Sequence, residues 1–102
     1  MDIEWLVPWI PVEDPKDETA WARELTRECP VGHLLHGREA RFVARRQDRD
    51  DFLVALSNGE VAMVHLTWAQ ETDPSWPASA LYESLAIWRD EVMVPDHEEW
   101  EV

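Results

Sequence analysis

Residues 40–68 read ARFVARRQDRDDFLVALSNGEVAMVHLTW, and the alternation within this stretch decides the fold class. From Arg38 onward the apolar period is two: Ala40, Phe42 and Ala44 alternate with Arg41, Val43 and Arg45. Gln47-Asp48-Arg49-Asp50 forms a polar break, an apolar run follows from Asp51 to Leu56, and Ser57-Asn58-Gly59 separates it from another run rich in Val, Thr and Trp. Side chains in an extended chain point alternately to opposite faces, so this pattern predicts strands rather than helix. Asn-Gly is the strongest short hairpin signal, because both central residues of a type I′ turn need positive φ. The stretch therefore predicts three consecutive antiparallel strands, at about 40–47, 51–57 and 60–68.

A two-residue Asn58-Gly59 turn pairs Leu56 with Val61, Val54 with Met63 and Phe52 with His65. The opposite face then carries Leu53, Ala55, Ala62, Val64 and Leu66. Both faces are apolar, unlike a sheet with one solvated side, so something must cover each. Flanking helices and an apolar N-terminal arm are candidates; a second copy of the chain is the alternative.

Upstream, Asp14-Pro15-Lys16-Asp17 signals a helix start: Asp14 caps, Pro15 fits the first helical position, and Asp17 favours the positive end of the helix dipole. Trp21, Leu25 and Cys29 then recur at intervals of four, and Pro30 and Gly32 stop a helix of about 13–15 residues. Residues 1–12 hold Trp5, Leu6, Val7, Trp9, Ile10 and Val12 between Pro8 and Pro11. The prolines deny this arm a helix, and its apolarity places it against the core.

Downstream, Asp73-Pro74-Ser75-Trp76-Pro77 is a loop. Leu81, Leu85, Trp88 and Val92 follow at spacings of four, three and four, a helix stripe that Pro95 is expected to end near Val94. Its start has two readings. Ser79 can cap it, or Ser84 can, with Ala80 to Tyr82 then forming a short edge strand. Residues 96–102 make an acidic tail expected to add one helical turn at most.

Composition narrows the function classes. Lys plus Arg number 9 against 22 Asp plus Glu, a formal net charge of −13. Nucleic-acid affinity comes mainly from cations neutralising phosphates, so direct nucleic-acid binding is disfavoured, as is an anionic membrane surface. One cysteine excludes an internal disulfide framework. Met1-Asp2-Ile3-Glu4-Trp5 lacks a cationic, apolar secretory leader, and no apolar run approaches the roughly 20 residues of a membrane span; the expectation is a cytoplasmic protein. The charge is uneven: eight cations meet eleven acids in residues 1–50, whereas Arg89 alone meets eleven in residues 51–102. Five arginines lie between Arg38 and Arg49, predicting a basic first strand opposite an acidic second half, unless Arg41, Arg45 and Arg46 pair with neighbouring acids.

Chemistry-bearing residues are few. Cys29, His33 and His36 have a ligand-like spacing, but Pro30 and Gly32 break the helix that would orient them, so no metal and no cofactor are expected. His65, between Val64 and Leu66, can act as a general base if Asp51 or Glu83 orients it; a hydrogen-bonded sheet histidine is the commoner case. Cys29 sits at a helix C-terminus, where the dipole opposes thiolate formation. The three glycines give no phosphate cradle. Tryptophan is the outlier at seven. Trp21, Trp68 and Trp88 fall on predicted core stripes, whereas Trp5, Trp9, Trp76 and Trp100 lie in irregular or terminal segments. These either staple loops to the core or form an exposed aromatic patch, and tryptophan is enriched among interface anchors.

Val64-His65-Leu66-Thr67-Trp68, Ser75-Trp76-Pro77, Leu81-Tyr82, Ser84-Leu85 and Pro95-Asp96-His97-Glu98-Glu99-Trp100 together resemble a group of small bacterial proteins of unassigned function. The resemblance covers roughly residues 32–100. It implies a bacterial, cytoplasmic, stand-alone domain and brings no catalytic residue with it.

The expected architecture is one α+β domain spanning 1–102, a three- or four-stranded antiparallel meander with one helix before and one helix after the sheet. The leading functional expectation is a non-enzymatic protein-interaction module, by analogy inhibitor- or immunity-like, whose acidic surface binds a basic partner through Trp68, Trp76, His97, Glu98, Glu99 and Trp100. The alternative is a small enzyme or ligand-binding protein with a site around His65, Trp68 and Glu83. A third reading is a homodimer whose doubly apolar sheet is completed by its twin.

Overall fold

The computed structural model describes residues 3–69 and 71–100. Strands β1 (Trp9–Pro11), β2 (Ala40–Arg46), β3 (Asp51–Leu56), β4 (Val61–His65) and β5 (Ser79–Tyr82) form one antiparallel sheet in chain order. Helix α1 (Pro15–Glu28) lies between β1 and β2, and a helix over 85–100 follows β5. The α+β meander predicted from sequence is thus present, with five strands instead of three or four and with the first helix inserted between β1 and β2 instead of preceding the sheet, because the N-terminal arm itself pairs as a strand.

The two strands that flank the central three have local causes. The N-terminal arm does more than rest on the core: Trp9, Ile10 and Pro11 pair with Arg46, Arg45 and Ala44. An outer edge tolerates proline, since one side of the strand needs no donors. At the other edge Ser84, not Ser79, caps the helix, its hydroxyl accepting from Ile87 N–H at 3.2 Å. That frees Ser79–Tyr82 to pair with β4. Helix α1 starts as its sequence predicts, with Asp14 Oδ1 accepting from Lys16 N–H at 2.8 Å and Pro15 at its first position.

The β3–β4 hairpin differs from the two-residue turn. Leu56 N–H donates to Glu60 O and Gly59 N–H to Leu56 O, leaving Ser57, Asn58 and Gly59 in a three-residue loop. Gly59 has φ +90°, while Asn58 does not enter the positive-φ region; its side-chain Oδ1 accepts from Glu60 N–H at 3.1 Å. The register consequently moves by one, pairing Phe52 with Val64 and Asp51 with His65, and a one-residue slip transfers every side chain to the other face. Phe52, Val54, Leu56, Ala62, Val64 and Leu66 now share one apolar face. Replacing Gly59 by alanine should cost about 1 kcal/mol in urea unfolding, because the positive φ disfavours any Cβ while the space beside it is open.

A bulge separates Phe42 from Ala44: Phe42 pairs with Val54 but Ala44 with Leu53. The extra residue, Val43, breaks the parity that placed Ala40, Phe42 and Ala44 together. Phe42 packs under α1, and Ala44 joins the opposite core. The same step turns Arg45 over the rings of Trp21 and Phe52, at 5.4 and 5.6 Å, and leaves Arg46 on the other face.

Pro95 does not end the C-terminal helix. Residues Leu85–Trp88 are α-helical, Arg89–Met93 form a π-turn, and Val94–Trp100 continue as α-helix. Val94 N–H reaches back to Arg89 O. The wider turn lies immediately before Pro95, whose ring would otherwise press on a carbonyl one α-turn earlier.

Two cores result. Leu25, Cys29 and Leu35 cover the face that carries Phe42, Phe52, Val54, Val64 and Leu66, with the Trp21 ring 5.0 Å from Phe52 at a tilt of 53°. Trp9, Trp88 and Met93 bury Ala44, Leu53 and Val61 on the other face, joined by Ile3, Trp5, Leu6 and Met63. One chain therefore covers both faces, and neither calls for a twin. No helix among the described residues is long and apolar enough to cross a membrane.

Candidate functional site

One end of the sheet gathers most of the residues singled out from sequence. There the β2–β3 turn, the 66–78 loop between β4 and β5, and the last turns of the C-terminal helix come together. Leu66 N–H donates to Asp50 O, and Arg46, the final residue of β2, donates to Asp96 Oδ2 at 3.3 Å.

Trp68 is held there in an unusual conformation. Its φ is +60°, the only positive value at a non-glycine among the described residues, and this region costs an L-residue roughly 1–2 kcal/mol. Glu28 supplies the restraint. Its side chain, fully buried at the end of α1, accepts from Thr67 N–H at 2.8 Å, Thr67 Oγ1–H at 3.0 Å and Trp68 N–H at 2.8 Å. Burial and hydrogen bonding with Glu24 hold the Glu28 carboxyl above the ordinary carboxylate range, against those three bonds. The indole N–H of Trp68 donates to Asp50 Oδ2 at 2.9 Å, yet 48% of the residue stays exposed. Trp68, placed on a core stripe by its sequence spacing, is thus anchored by its polar edge and presents its ring to solvent.

Trp76, 46% exposed, sits on a loop built by Asp73, whose carboxylate accepts from the N–H and hydroxyl of Ser75. Those two bonds hold Asp73 below its usual range. The loop is docked by His33, whose Nε2 donates to Pro77 O at 2.8 Å while Nδ1 accepts from Leu35 N–H at 3.0 Å. Gly32 lies against Pro74, where an added Cβ would stand 3.3 Å from the ring.

Trp100, 40% exposed, lies one helical turn beyond Asp96, which bonds Arg46 at the end of β2. One turn earlier, Asp96 Oδ2 accepts from Trp9 Nε1–H at 2.8 Å, and His97 Nδ1–H donates to Val7 O at 2.7 Å. These bonds fix the helix to the N-terminal arm. Glu98 and Glu99 are exposed beside them and form no ion pair among the described residues.

The basic strand expected from sequence is neutralised in part, Arg45 lying over the Trp21 and Phe52 rings with no acid paired to it among the described residues. Arg41 meets Glu18, Arg46 meets Asp48 and Asp96, Arg49 meets Asp51, and Arg38 meets Glu60. Glu71, Asp73, Glu83, Glu91, Glu98 and Glu99 have no such partner among the described residues, whereas Asp51, Glu60, Asp90 and Asp96 of the same half are paired.

The residues of the ligand-binding alternative are only partly assembled. His65 Nδ1–H donates to Asp51 Oδ1 at 2.8 Å, and the pair lines a shallow hollow of about 280 Å³ with Met63, Ala78, Ser79 and Ala80. Trp68 is anchored to the neighbouring Asp50, but Glu83 lies past the far end of β5, away from His65. Ser79 Oγ–H donates to Pro77 O at 3.0 Å, and its other near polar atom is His33 Nε2 at 3.5 Å; neither bond involves His65. Among the described residues no hydroxyl or thiol bonds to this oriented imidazole, although Ser79 lines the same hollow.

A larger hollow of about 440 Å³ lies between α1 and residues 35–40 and is lined in part by Cys29. Burial and the charge of Glu28 push that thiol up to about 11, which makes it a poor nucleophile at neutral pH. Cys29, His33 and His36 do not converge: His36 Nδ1–H donates to Cys29 O at 2.9 Å while His33 is engaged with Pro77. Among the described residues no group of three His, Cys, Asp or Glu side chains is disposed to hold a metal ion. Sequence reasoning missed Glu28 here, and weighed His33 only as a metal ligand; they shape the loops carrying Trp68 and Trp76.

Compared with protein-family models, characterised proteins and solved structures, the chain matches none of them significantly.

Proposed function

We propose that this protein is a non-enzymatic interaction module that covers a basic surface on another protein with the end of its sheet carrying Trp68, Trp76 and Trp100. The supporting observation is three half-exposed tryptophans, Trp68 and Trp76 between β4 and β5 and Trp100 at the end of the C-terminal helix, with Asp73, Glu98 and Glu99 beside them in the chain and paired with no cation among the described residues. Tryptophan supplies large contact area at little entropic cost, and surrounding charge selects the partner and accelerates encounter. A backbone strained at Trp68 and held by a buried carboxylate fits a residue kept in place for contact, since the ring contributes little to the core.

The test compares affinity capture from lysate of the native cell by wild type, by a Trp68→Ala, Trp76→Ala, Trp100→Ala variant and by a Glu98→Gln, Glu99→Gln variant, in low and high salt. A specific partner should be retained at least about tenfold less by the tryptophan variant. Its retention by wild type should also fall in high salt. Capture of the same proteins in the same amounts by all three chains removes the reading.

A further inference from the structure

The two outer edges of the sheet are treated differently. Strand β1 has three residues, is preceded by Pro8 and ends in Pro11, so it offers little to an incoming strand. Strand β5, Ser79-Ala80-Leu81-Tyr82, carries neither proline nor charge and no bulge interrupts its pairing with β4. Its open side can be assigned from the register. His65 N–H donates to Ala78 O, so His65–Ala78, Met63–Ala80 and Val61–Tyr82 are the hydrogen-bonded pairs. The N–H and C=O groups of Ser79 and Leu81 therefore point away from β4, and none of them bonds to a described residue.

We infer that this edge of β5 receives an extended segment of the basic partner as a sixth strand. The inference rests on the interaction reading above and specifies its mode. Strand addition draws affinity from main-chain bonds and specificity from alternating side chains. The surroundings of β5 set that alternation. Leu81, 41% exposed, stands beside Ala62 on the α1 side of the sheet and offers contact to an apolar side chain. On the other side Tyr82 lies within the field of Glu91, whose exposed carboxylate has no ion partner among the described residues; Glu83 follows directly. A segment alternating apolar and cationic residues satisfies both sides. Trp76 lies three residues before the strand, so the edge continues from the tryptophan-bearing end. A second copy of this chain is a poor occupant: each carries −13, and the one cation of residues 51–102, Arg89, is already paired with Asp90 at 3.0 Å.

The probe is a blocked eight-residue peptide alternating valine and lysine, compared with the same peptide N-methylated on alternate residues to remove the donors of one edge. Binding is followed by calorimetry and by amide hydrogen exchange of the wild-type protein. The unmodified peptide should slow exchange of the Ser79 and Leu81 amides at least about tenfold, and the methylated peptide should bind at least about tenfold more weakly. Leu81→Pro removes an outward-facing donor together with the Leu81 side chain, Leu81→Ala removes the side chain alone, and circular dichroism checks that both folds persist; Leu81→Pro should weaken the unmodified peptide beyond Leu81→Ala, to a degree similar to methylation. Equal binding of both peptides shows charge attraction alone and overturns the edge assignment while the acidic-surface reading stands. No binding of either peptide, with tryptophan-dependent capture of a partner intact, also overturns the edge alone. Concentration-dependent dimerisation of wild type that Leu81→Pro abolishes overturns the assignment to a partner.

Discussion

Replacing Trp88 by alanine should lower the unfolding free energy by about 3–5 kcal/mol, the range for deleting a fully buried large aromatic. Against the 5–15 kcal/mol that stabilises a typical domain, this approaches global unfolding. Trp88 has no exposed surface, and three separate parts of the chain meet on it. Trp9 of β1 packs edge-on at 4.9 Å, Trp5 of the N-terminal arm lies at 6.2 Å, and Leu53, Val61 and Met93 complete the same cluster. Its removal opens a cavity at the junction of arm, sheet and C-terminal helix, where no single segment can move in to fill it. Trp88→Phe should be much milder, because it keeps an aromatic ring and deletes an indole N–H that has no hydrogen-bond partner. Urea denaturation followed by circular dichroism separates the two, and a loss below about 1 kcal/mol for Trp88→Ala contradicts this packing account.

Much of this arrangement is legible in residues 40–68, because alternation is a strong signal and the two apolar faces demand two covers. The details that reverse side chains are less so. Asn58-Gly59 suits both a two-residue turn and a three-residue loop, and the choice lay with Asn58, whose side chain bonds Glu60 N–H instead of letting the backbone enter positive φ. The bulge at Val43 leaves no mark on the pattern, since Phe42 and Ala44 read as one face in a regular strand. Pro95 is a helix stop by local rules, overridden by a π-turn and by the bonds of Asp96 and His97 to the rest of the fold. Trp76 and Trp100 were recognisable as interface candidates from their irregular or terminal positions. Trp68 sat in a strand-like run, and its positive φ follows from a long-range bond that periodicity cannot show. One clue to that bond was available: Glu28 places a negative charge at the negative end of α1, a poor position unless donors from elsewhere meet it.

Those donors make Glu28 the second site of large effect. Glu28→Ala should cost about 3–4 kcal/mol, because it strands the partly buried N–H groups of Thr67 and Trp68, removes a third bond to Thr67 Oγ1 and leaves a void where the fully buried Glu28 side chain stood. Glu28→Gln should cost less, about 2 kcal/mol, since one oxygen still accepts while the amide nitrogen faces a donor. The pH dependence follows from the raised carboxyl. A group whose folded-state value lies above its unfolded value contributes stability that is complete below the ordinary glutamate range and is lost as pH rises through the raised value. The deficit of Glu28→Gln relative to wild type should therefore be largest in mild acid and shrink toward neutral pH, as wild type alone bears the cost of ionising a buried group. Paired urea titrations across that range read this difference directly, and subtraction removes the contributions of carboxylates common to both chains. A deficit that instead grows as pH rises means that the bonds from Thr67 and Trp68 outweigh burial. In either case the link between α1 and the 66–78 loop carries to the proposed surface: once Glu28 is gone, the Trp68 backbone loses its bond and only the indole bond to Asp50 holds the residue, so both variants should lose capture of a partner in proportion to the contribution of Trp68.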